Sequence, residues 1–266
     1  MKACFSTLGC PDWKVDQILA CVKDLGFEGI EIRGLEGEMF APKSPHLQPD
    51  SRFLQELEGL GCAVAGLGSS ASFGKPAEAL AECRAYVDAA AAIDCRLVRV
   101  FGGRVPEGMD HAEGAKALAP ALREACQYAQ EKDVIVGLET HDDWCRGDEL
   151  ALILQTVDHP ALQVIWDMHH SYRHGEAPAE TQAALGNRVV HVHLKDGFER
   201  EGKVDYRLFG EGDLPLVEML QTLKDAGYEG FLSLEWEKKW HPEIAEPEVA
   251  FPQFRAKLTE LLSQLA

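Results

Sequence analysis

Short apolar runs alternate with longer helical patterns along the whole 266-residue chain. The runs are typical of buried strands and occur at 3–9, 29–33, 62–68, 96–102, 134–139, 162–167, 189–194 and 231–236. The intervening patterns predict helices near 14–25, 50–60, 76–93, 110–132, 147–157, 177–186, 214–226 and 247–265. Strict alternation indicates a parallel sheet, and eight such units close a barrel. The sequence therefore predicts an α/β chain, a single-domain (β/α)8 TIM barrel over 1–266.

The alternative is a doubly wound open sheet. Such a sheet commonly carries a G-x-G-x-x-G turn after its first strand, and none follows the first predicted strand here. The segment "GLGSSASFGK" at 66–75 is rich in glycine, but it matches no phosphate-binding loop. The barrel is therefore favoured.

Composition limits the functional classes. A formal net charge of −18 argues against general binding to nucleic acid or to membrane surfaces, and any anionic ligand would need locally placed basic residues. The chain has no signal-peptide pattern and no apolar run long enough to span a membrane, so we expect a cytoplasmic location. Its eight cysteines are scattered without a C-x-x-C pair, which predicts reduced thiols.

The last four predicted strands each end in an inward-facing residue that can bind a metal ion. Side chains alternate between the interior and the helices along a barrel strand, and catalytic groups gather at the carboxyl ends. These ends carry Glu139, Asp167, His193 and Glu235. Three crowded carboxylates resist ionisation unless a countercharge is present, which a divalent cation supplies. Oxygen ligands with one nitrogen favour Mn²⁺, Mg²⁺, Co²⁺ or a catalytic Zn²⁺. The alternative is that each acid pairs separately with a nearby base.

The strand "VVHVHL" and the residue after it place three basic side chains on one face. His191 lies one pleat deeper than His193, where a hydrogen-bonded core histidine is favoured over a ligand. Lys195 lies one pleat above His193, and we interpret it either as a contact to substrate or as a solvated lysine at the rim.

Three histidines follow Asp167. His170 is three residues further on, in a predicted loop, and could reach a substrate hydroxyl. His169 and His174 are expected to be solvated loop residues.

The other side of the predicted barrel mouth is also polar. Glu31 ends the second strand and Arg99 the fourth. Because a buried arginine needs a partner, Arg99 either pairs with Glu31 or Glu139 or binds a substrate carboxylate, phosphate or hydroxyl. Glu31 and Arg99 are therefore candidate substrate-binding residues. The segment after the eighth strand offers a possible lid, with Trp236, Lys238, Trp240 and His241, although Trp240 could instead serve packing or a subunit contact.

Five motifs resemble the sugar phosphate isomerase/epimerase family of xylose isomerase-like barrels. They are "GLETH", "WDMHH", "HVHLKD", "FGEGDLPLVEMLQTLKDAGYEG" and "LSLEWE", and the resemblance covers essentially the whole chain. It implies that Glu139, Asp167, His193 and Glu235 are metal ligands. It further implies that Glu139 and Glu235 act as acid and base on opposite faces of the substrate and that His170 binds substrate.

The resemblance does not specify one substrate. The family includes ketose 3-epimerases, hydroxypyruvate isomerase, inosose and dehydroshikimate dehydratases, and enzymes that act on 3-keto-glycosides. The ketose epimerases carry an arginine soon after the strand-seven histidine, whereas this chain has Lys195 near that position, which argues against a simple ketohexose substrate.

The predicted reaction is proton transfer next to a carbonyl through an enediolate, catalysed by an isomerase or epimerase of carbohydrate metabolism. We expect the enzyme to use one divalent ion, with Mn²⁺ as the first choice. A metal-dependent dehydratase or other lyase is the alternative. A non-catalytic sugar-binding barrel is a further one. An endonuclease IV-type repair enzyme is disfavoured, because the first three strands end without histidine and the chain is acidic. We expect a small sugar-derived substrate and a homodimer or homotetramer.

Overall fold

The computed structural model describes residues 1–200 and 202–265, and its strands are as follows. They are β1 (Lys2–Ser6), β2 (Gly29–Ile32), β3 (Ala63–Ser72), β4 (Leu97–Phe101), β5 (Ile135–Glu139), β6 (Leu162–Asp167), β7 (Val189–Leu194), β8 (Asp196–Arg200), β9 (Lys203–Arg207) and β10 (Phe231–Leu234). The helices are α1 (Val15–Leu25), α2 (Arg52–Gly59), α3 (Pro76–Ala92), α4 (His111–Gln130), α5 (Gly147–Val157), α6 (Met168–Arg173), α7 (Pro178–Leu185), α8 (Leu216–Asp225) and α9 (Pro247–Ser263).

The strands form a closed parallel barrel in the order β1-β10-β7-β6-β5-β4-β3-β2, which confirms the predicted (β/α)8 fold. β8 and β9 form a separate antiparallel pair. Two compact units can be distinguished along the chain, one formed by Met1–Ala65 with Val192–Ala266 and the other by Gly66–His191.

Glycine ends two of the helices where the sequence predicted a stop. Gly26 follows α1 with a φ of +65°, and Gly227 follows the last turn of α8 with a φ of +71°. Glycine adopts this left-handed conformation at little cost, whereas a side chain would be strained. The similar segments "DLGFEG" at 24–29 and "DAGYEG" at 225–230 are therefore helix ends that lead into strands.

The helix α4 begins at a reciprocal cap. The Asp110 side chain accepts a hydrogen bond from the backbone N–H of Glu113 at 2.8 Å, and the Glu113 carboxylate accepts one from the backbone N–H of Asp110 at 3.1 Å. Both N–H groups belong to the helix start, where no backbone partner is available, so the pair of residues sets the first turn.

In the first unit, the core is rich in aromatic rings. Phe5 of β1 contacts Phe27 at 4.8 Å and Phe251 of α9 at 4.6 Å between ring centroids, and Phe254 stacks on Phe27. These rings are fully or almost fully buried. Burying a large apolar side chain stabilises the fold by roughly 1.5 to 3 kcal/mol, so this cluster holds α9 against β1.

In the second unit, the interior is packed one layer below the strand ends. A Cβ atom at Gly137 would lie 2.8 Å from side-chain carbons of both Leu97 and Ile165, so no side chain fits there. Leu97, Gly137 and Ile165 each lie two residues before a buried polar residue, namely Arg99 within β4 and Glu139 and Asp167 at the ends of β5 and β6. Apolar packing therefore supports the polar layer above it.

The structure departs from the predicted elements at three places. β3 extends to Ser72, a short helix, α6, occupies the expected loop after Asp167, and the β8–β9 hairpin lies in the expected loop after β7. These segments are too short for a periodic pattern to be distinctive.

All eight cysteines are free and buried, which agrees with the prediction of reduced thiols. Among the described residues, none of the helices has both the length and the apolar character needed to cross a membrane.

Candidate active site

The first unit carries a buried histidine held by a carboxylate. The Nε2 atom of His193, near the end of β7, lies 2.8 Å from Oε2 of Glu31 on β2, and the Ser233 hydroxyl donates to the same oxygen at 3.1 Å. A carboxylate only accepts hydrogen bonds, so we assign the proton of His193 to Nε2. The other nitrogen, Nδ1, lies 3.5 Å from Oε1 of Glu235.

Lys195 is buried in the same unit, with 1% of its surface exposed. Its ammonium group donates to Oε2 of Glu235 at 2.6 Å and to Oε1 of Glu237 at 3.0 Å. The interpretation of Lys195 as a solvated rim lysine is therefore wrong. The two carboxylates offset the free-energy cost of burying the ammonium group. The hydrogen bond from Lys195 in turn fixes the direction of the Glu235 side chain.

In the second unit, Glu139 at the end of β5 lies beside Arg99 of β4. Their nearest oxygen and nitrogen are 3.3 Å apart, and both side chains are almost completely buried. The guanidinium also donates to the carbonyl of Ser69 at 3.3 Å and lies 4.7 Å from the ring centroid of Phe101. Of the alternatives for Arg99, pairing with Glu139 is confirmed, and a role in substrate binding stays a prediction.

Asp167 ends β6 and begins α6. Its Oδ1 atom accepts hydrogen bonds from the backbone N–H groups of His169 at 3.0 Å and His170 at 3.1 Å, and its own N–H donates to the Thr140 hydroxyl at 2.9 Å. One carboxylate oxygen is thus committed to the helix start, as in a typical N-cap. The aspartate at the end of β6 is therefore held in one orientation by the backbone.

The sequence analysis predicted a loop at His170, but the residue lies on α6. Its Nδ1 atom is 2.8 Å from the Thr140 carbonyl, and its Nε2 atom is 3.8 Å from Oδ2 of Asp167. Because the carbonyl can only accept, we assign the proton to Nδ1. Its ring also lies 4.9 Å from that of His141.

The expectation that His169 is solvated is wrong, since it is buried in α6 with 2% exposure. Asp167 caps the start of α6, and the Trp166 indole donates a 2.9 Å hydrogen bond to the Ser171 hydroxyl. These two contacts hold the helix against the end of β6. His174 is exposed, as expected, and His191 is buried in β7, which fits its predicted place in the core.

The segment after β10 binds mainly to itself. The Trp236 indole donates to the Ala245 carbonyl at 2.9 Å, and Lys238 donates to the carbonyls of Pro242 and Ile244, each at 2.7 Å. Trp240 is 54% exposed. Trp236 and Lys238 do not support a lid role for this segment. Their polar groups bind carbonyls at 242–245 within the segment.

Two residues of this region escaped the sequence analysis. Thr140 bonds to both Asp167 and His170, and Glu237 shares Lys195 with Glu235. Glu237 is two residues after Glu235, so strand periodicity continued past the predicted end could have identified it. Thr140 directly follows Glu139 and gave no periodic signal.

The comparisons with known proteins agree on the fold. A family profile described as the xylose isomerase-like TIM barrel matches residues 19–255. The chain belongs to this family. A crystal structure of the IolI protein with a bound zinc atom superposes with a TM-score of 0.81 at 18% identity, covering 100% of this chain and 99% of that one. At this identity the likeness concerns the fold.

Curated relatives within the family differ in their activities. The fructoselysine 3-epimerase of Escherichia coli O157:H7 is 29% identical over 54% of this chain and 54% of its own length. The 3-oxo-isoapionate decarboxylase of Pectobacterium atrosepticum is 30% identical over 64% of this chain and 62% of its own. The chain spans about half the length of most of the curated relatives it matches.

Proposed function

We propose that the protein is a divalent-metal-dependent isomerase or epimerase that transfers a proton next to the carbonyl of a sugar-derived substrate. One observation carries the proposal. His193 and Glu235 are buried in the first unit, with Nδ1 of His193 3.5 Å from Oε1 of Glu235, and Glu139 and Asp167 are buried at the ends of β5 and β6 in the second unit.

The chemistry of this donor set fits a divalent ion. Three carboxylates and one imidazole form an oxygen-rich set of the kind that Mn²⁺, Mg²⁺, Co²⁺ and catalytic Zn²⁺ accept. Burial of several carboxylates is costly without positive charge nearby. Arg99 and Lys195 provide two such charges, and a cation held by the four side chains would complete the compensation.

The tautomer of His193 supports the same assignment. Since Nε2 donates to Glu31, Nδ1 is the nitrogen available as a ligand, and it is the one directed toward Glu235. A ligand histidine whose second nitrogen donates to a carboxylate is the common arrangement at metal sites. In this proposal Glu31 orients the ligand rather than binding substrate.

A bound divalent cation would act as a Lewis acid on the substrate carbonyl and lower the cost of an enediolate. Glu235 and Glu139 are the proposed proton carriers. Lys195 holds Oε2 of Glu235 at 2.6 Å, and Arg99 lies 3.3 Å from Oε2 of Glu139. Each carboxylate is thus positioned by one cation, and one would remove the proton while the other returns it.

His170 is the proposed contact to a substrate hydroxyl. With its proton on Nδ1 donated to the Thr140 carbonyl, its Nε2 atom is an acceptor. A hydroxyl on the substrate would complete this arrangement and fix the distance between the reacting carbon and the carboxylates.

The test combines metal content with solvent exchange. We expect purified protein to contain about one Mn, Co, Zn or Mg per chain by mass spectrometry, and Glu139→Gln to lose it. The metal-loaded protein should exchange the C–H proton next to the carbonyl of accepted keto-sugars with deuterated solvent. The matched control is Glu131→Gln, an exposed glutamate at the end of α4. Protein without bound ion and without uptake on adding these ions would refute the proposal.

A lyase reaction is the second candidate, supported by the similarity to a decarboxylase. The same carboxylates and Lewis acid could expel a β-hydroxyl or carbon dioxide instead of returning the proton. The two are separated by their products. Exchange with retention of the carbon skeleton and all oxygens supports the isomerase or epimerase, whereas release of water or carbon dioxide supports the lyase. Manganese as the preferred ion and a homodimer or homotetramer remain predictions.

A further inference from the structure

A cavity of about 470 Å³ lies in the second unit, and nothing in the proposed chemistry uses it. It is lined by the "GLGSSASFGK" segment, by the loop after β4 and by the start of α3. Its polar lining includes the hydroxyls of Ser70 and Ser72 and the cations Lys75 and Arg104.

Two glycines bring these cations together. Gly103 has a φ of +76°, and a Cβ atom there would overlap the Ser72 hydroxyl and the backbone of Gly74. A Cβ atom at Gly74 would in turn lie 3.2 Å from the backbone nitrogen of Arg104. The two loops therefore pack backbone against backbone, which places Lys75 and Arg104 on the same cavity.

The N–H donors of both cations are not engaged by described protein groups, although the charge of Arg104 acts on Asp142. Within 1–200 and 202–265, the side chains of Lys75 and Arg104 form no hydrogen bond or ion pair. Two nearby acids are already engaged, since Glu82 accepts from the Ser70 backbone at 2.6 Å and Asp142 lies 3.1 Å from His141 Nδ1. The hydrogen bond with His141 and, to a lesser extent, the charge of Arg104 lower the pKa of Asp142, so this acid carries a negative charge. Glu78 is the remaining carboxylate in the lining.

The cavity is linked to candidate residues of the same unit through neighbouring residues. Phe101, which precedes the Arg104 loop, pairs with Glu139 in the β4–β5 register. Asp142 lines the cavity and contacts His141, whose ring lies 4.9 Å from that of His170. A substrate that reaches His170 could therefore extend toward Lys75 and Arg104.

We propose that this cavity binds an anionic substituent of the substrate, a carboxylate or a phosphate, through Lys75 and Arg104. The inference rests on the proposed function and narrows its substrate class to keto-sugars with a negative group remote from the carbonyl. Three carboxylates also line the cavity, so an anion would be held by direct charge-assisted hydrogen bonds from Lys75 and Arg104 and not by the net charge of the lining.

The experiment is a titration of isotope-labelled, metal-stripped protein, followed by NMR. The probes are D-fructose, D-fructose 6-phosphate and 5-keto-D-gluconate, which separate a neutral sugar from a phosphate and a carboxylate. Lys75→Ala and Arg104→Ala are compared with Lys116→Ala, an exposed lysine of α4 outside the cavity. Without metal, the carboxylates of Glu139, Asp167 and Glu235 do not attract anions, so binding of an anionic sugar reports on the cavity.

At least one anionic sugar should bind about tenfold more tightly than D-fructose, and each cavity variant should weaken it about tenfold. D-Fructose and Lys116→Ala should show no such change. Which anionic sugar responds identifies the group as phosphate or carboxylate. Equal affinity for all three sugars in the wild-type protein, or unchanged affinity in both variants, would overturn the inference. A protein that never takes up metal would refute the proposed function but leave this titration readable.

Discussion

The contact between Glu31 and His193 allows a sharp test, the substitution Glu31→Gln. The carboxylate oxygen lies 2.8 Å from His193 Nε2 and also accepts from Ser233 at 3.1 Å. Glutamine has nearly the same shape and can still accept through its amide oxygen, so the fold should tolerate it. What is lost is the negative charge that makes the imidazole a stronger ligand.

The magnitude follows from the behaviour of carboxylates that hold a ligand histidine. Their removal typically lowers metal affinity 10- to 100-fold, which corresponds to about 1.4 to 2.8 kcal/mol. A charge-assisted hydrogen bond contributes roughly 1.5 to 3 kcal/mol, so the two ranges agree. We expect an effect within this range because the pair is buried and poorly screened.

The assay is calorimetric titration of stripped protein with Mn²⁺, Co²⁺ and Zn²⁺. The control is Glu28→Gln, which removes an exposed carboxylate just before β2. Unchanged metal affinity in Glu31→Gln would refute the role of Glu31 as the support of a ligand. If KM for a substrate then rose while metal affinity stayed constant, Glu31 would be the substrate-binding residue predicted from the sequence.

Three further predictions concern stability and reactivity. His191→Ala should lower the free energy of unfolding by about 1 to 3 kcal/mol in urea denaturation, because it leaves a cavity at a buried position, while metal uptake stays near wild-type. A loss of uptake at full stability would contradict its place in the core. Asp196 accepts hydrogen bonds from four backbone N–H groups around 197–214, three of them at 2.8 to 2.9 Å. Asp196→Ala should therefore destabilise the protein by about 1 to 3 kcal/mol and expose 208–214 to limited proteolysis, whereas Asp196→Asn should be milder, and equal protease resistance in all three proteins would exclude this role. Burial raises the pKa of Cys83 to about 12, and all eight thiols are buried, so a disulfide thiol reagent at pH 8 should label the native protein slowly and the unfolded protein fully; rapid labelling of the native protein would show that the thiols are accessible.

Much of the fold could be predicted because its signals are local and repeated. The alternation of strand and helix patterns indicated the order and class of the elements. The short helix α6 and the β8–β9 hairpin could not be predicted, since α6 depends on a cap from Asp167 and the hairpin on pairing within a loop. Such segments contain too few residues for a periodic pattern.

For the candidate site too, part could be predicted from the sequence and part depended on the tertiary structure. Strand periodicity determined which side chains share a face, so Glu139, Asp167, His193 and Glu235 could be singled out from the sequence. Only the tertiary structure decided their partners: Glu31 on His193, Lys195 on Glu235 and Arg99 on Glu139. The reason is physical, because the direction of a side chain is set by its own backbone. Its ion pair depends on which distant segment comes within about 3 Å, and the sequence does not encode that distance locally.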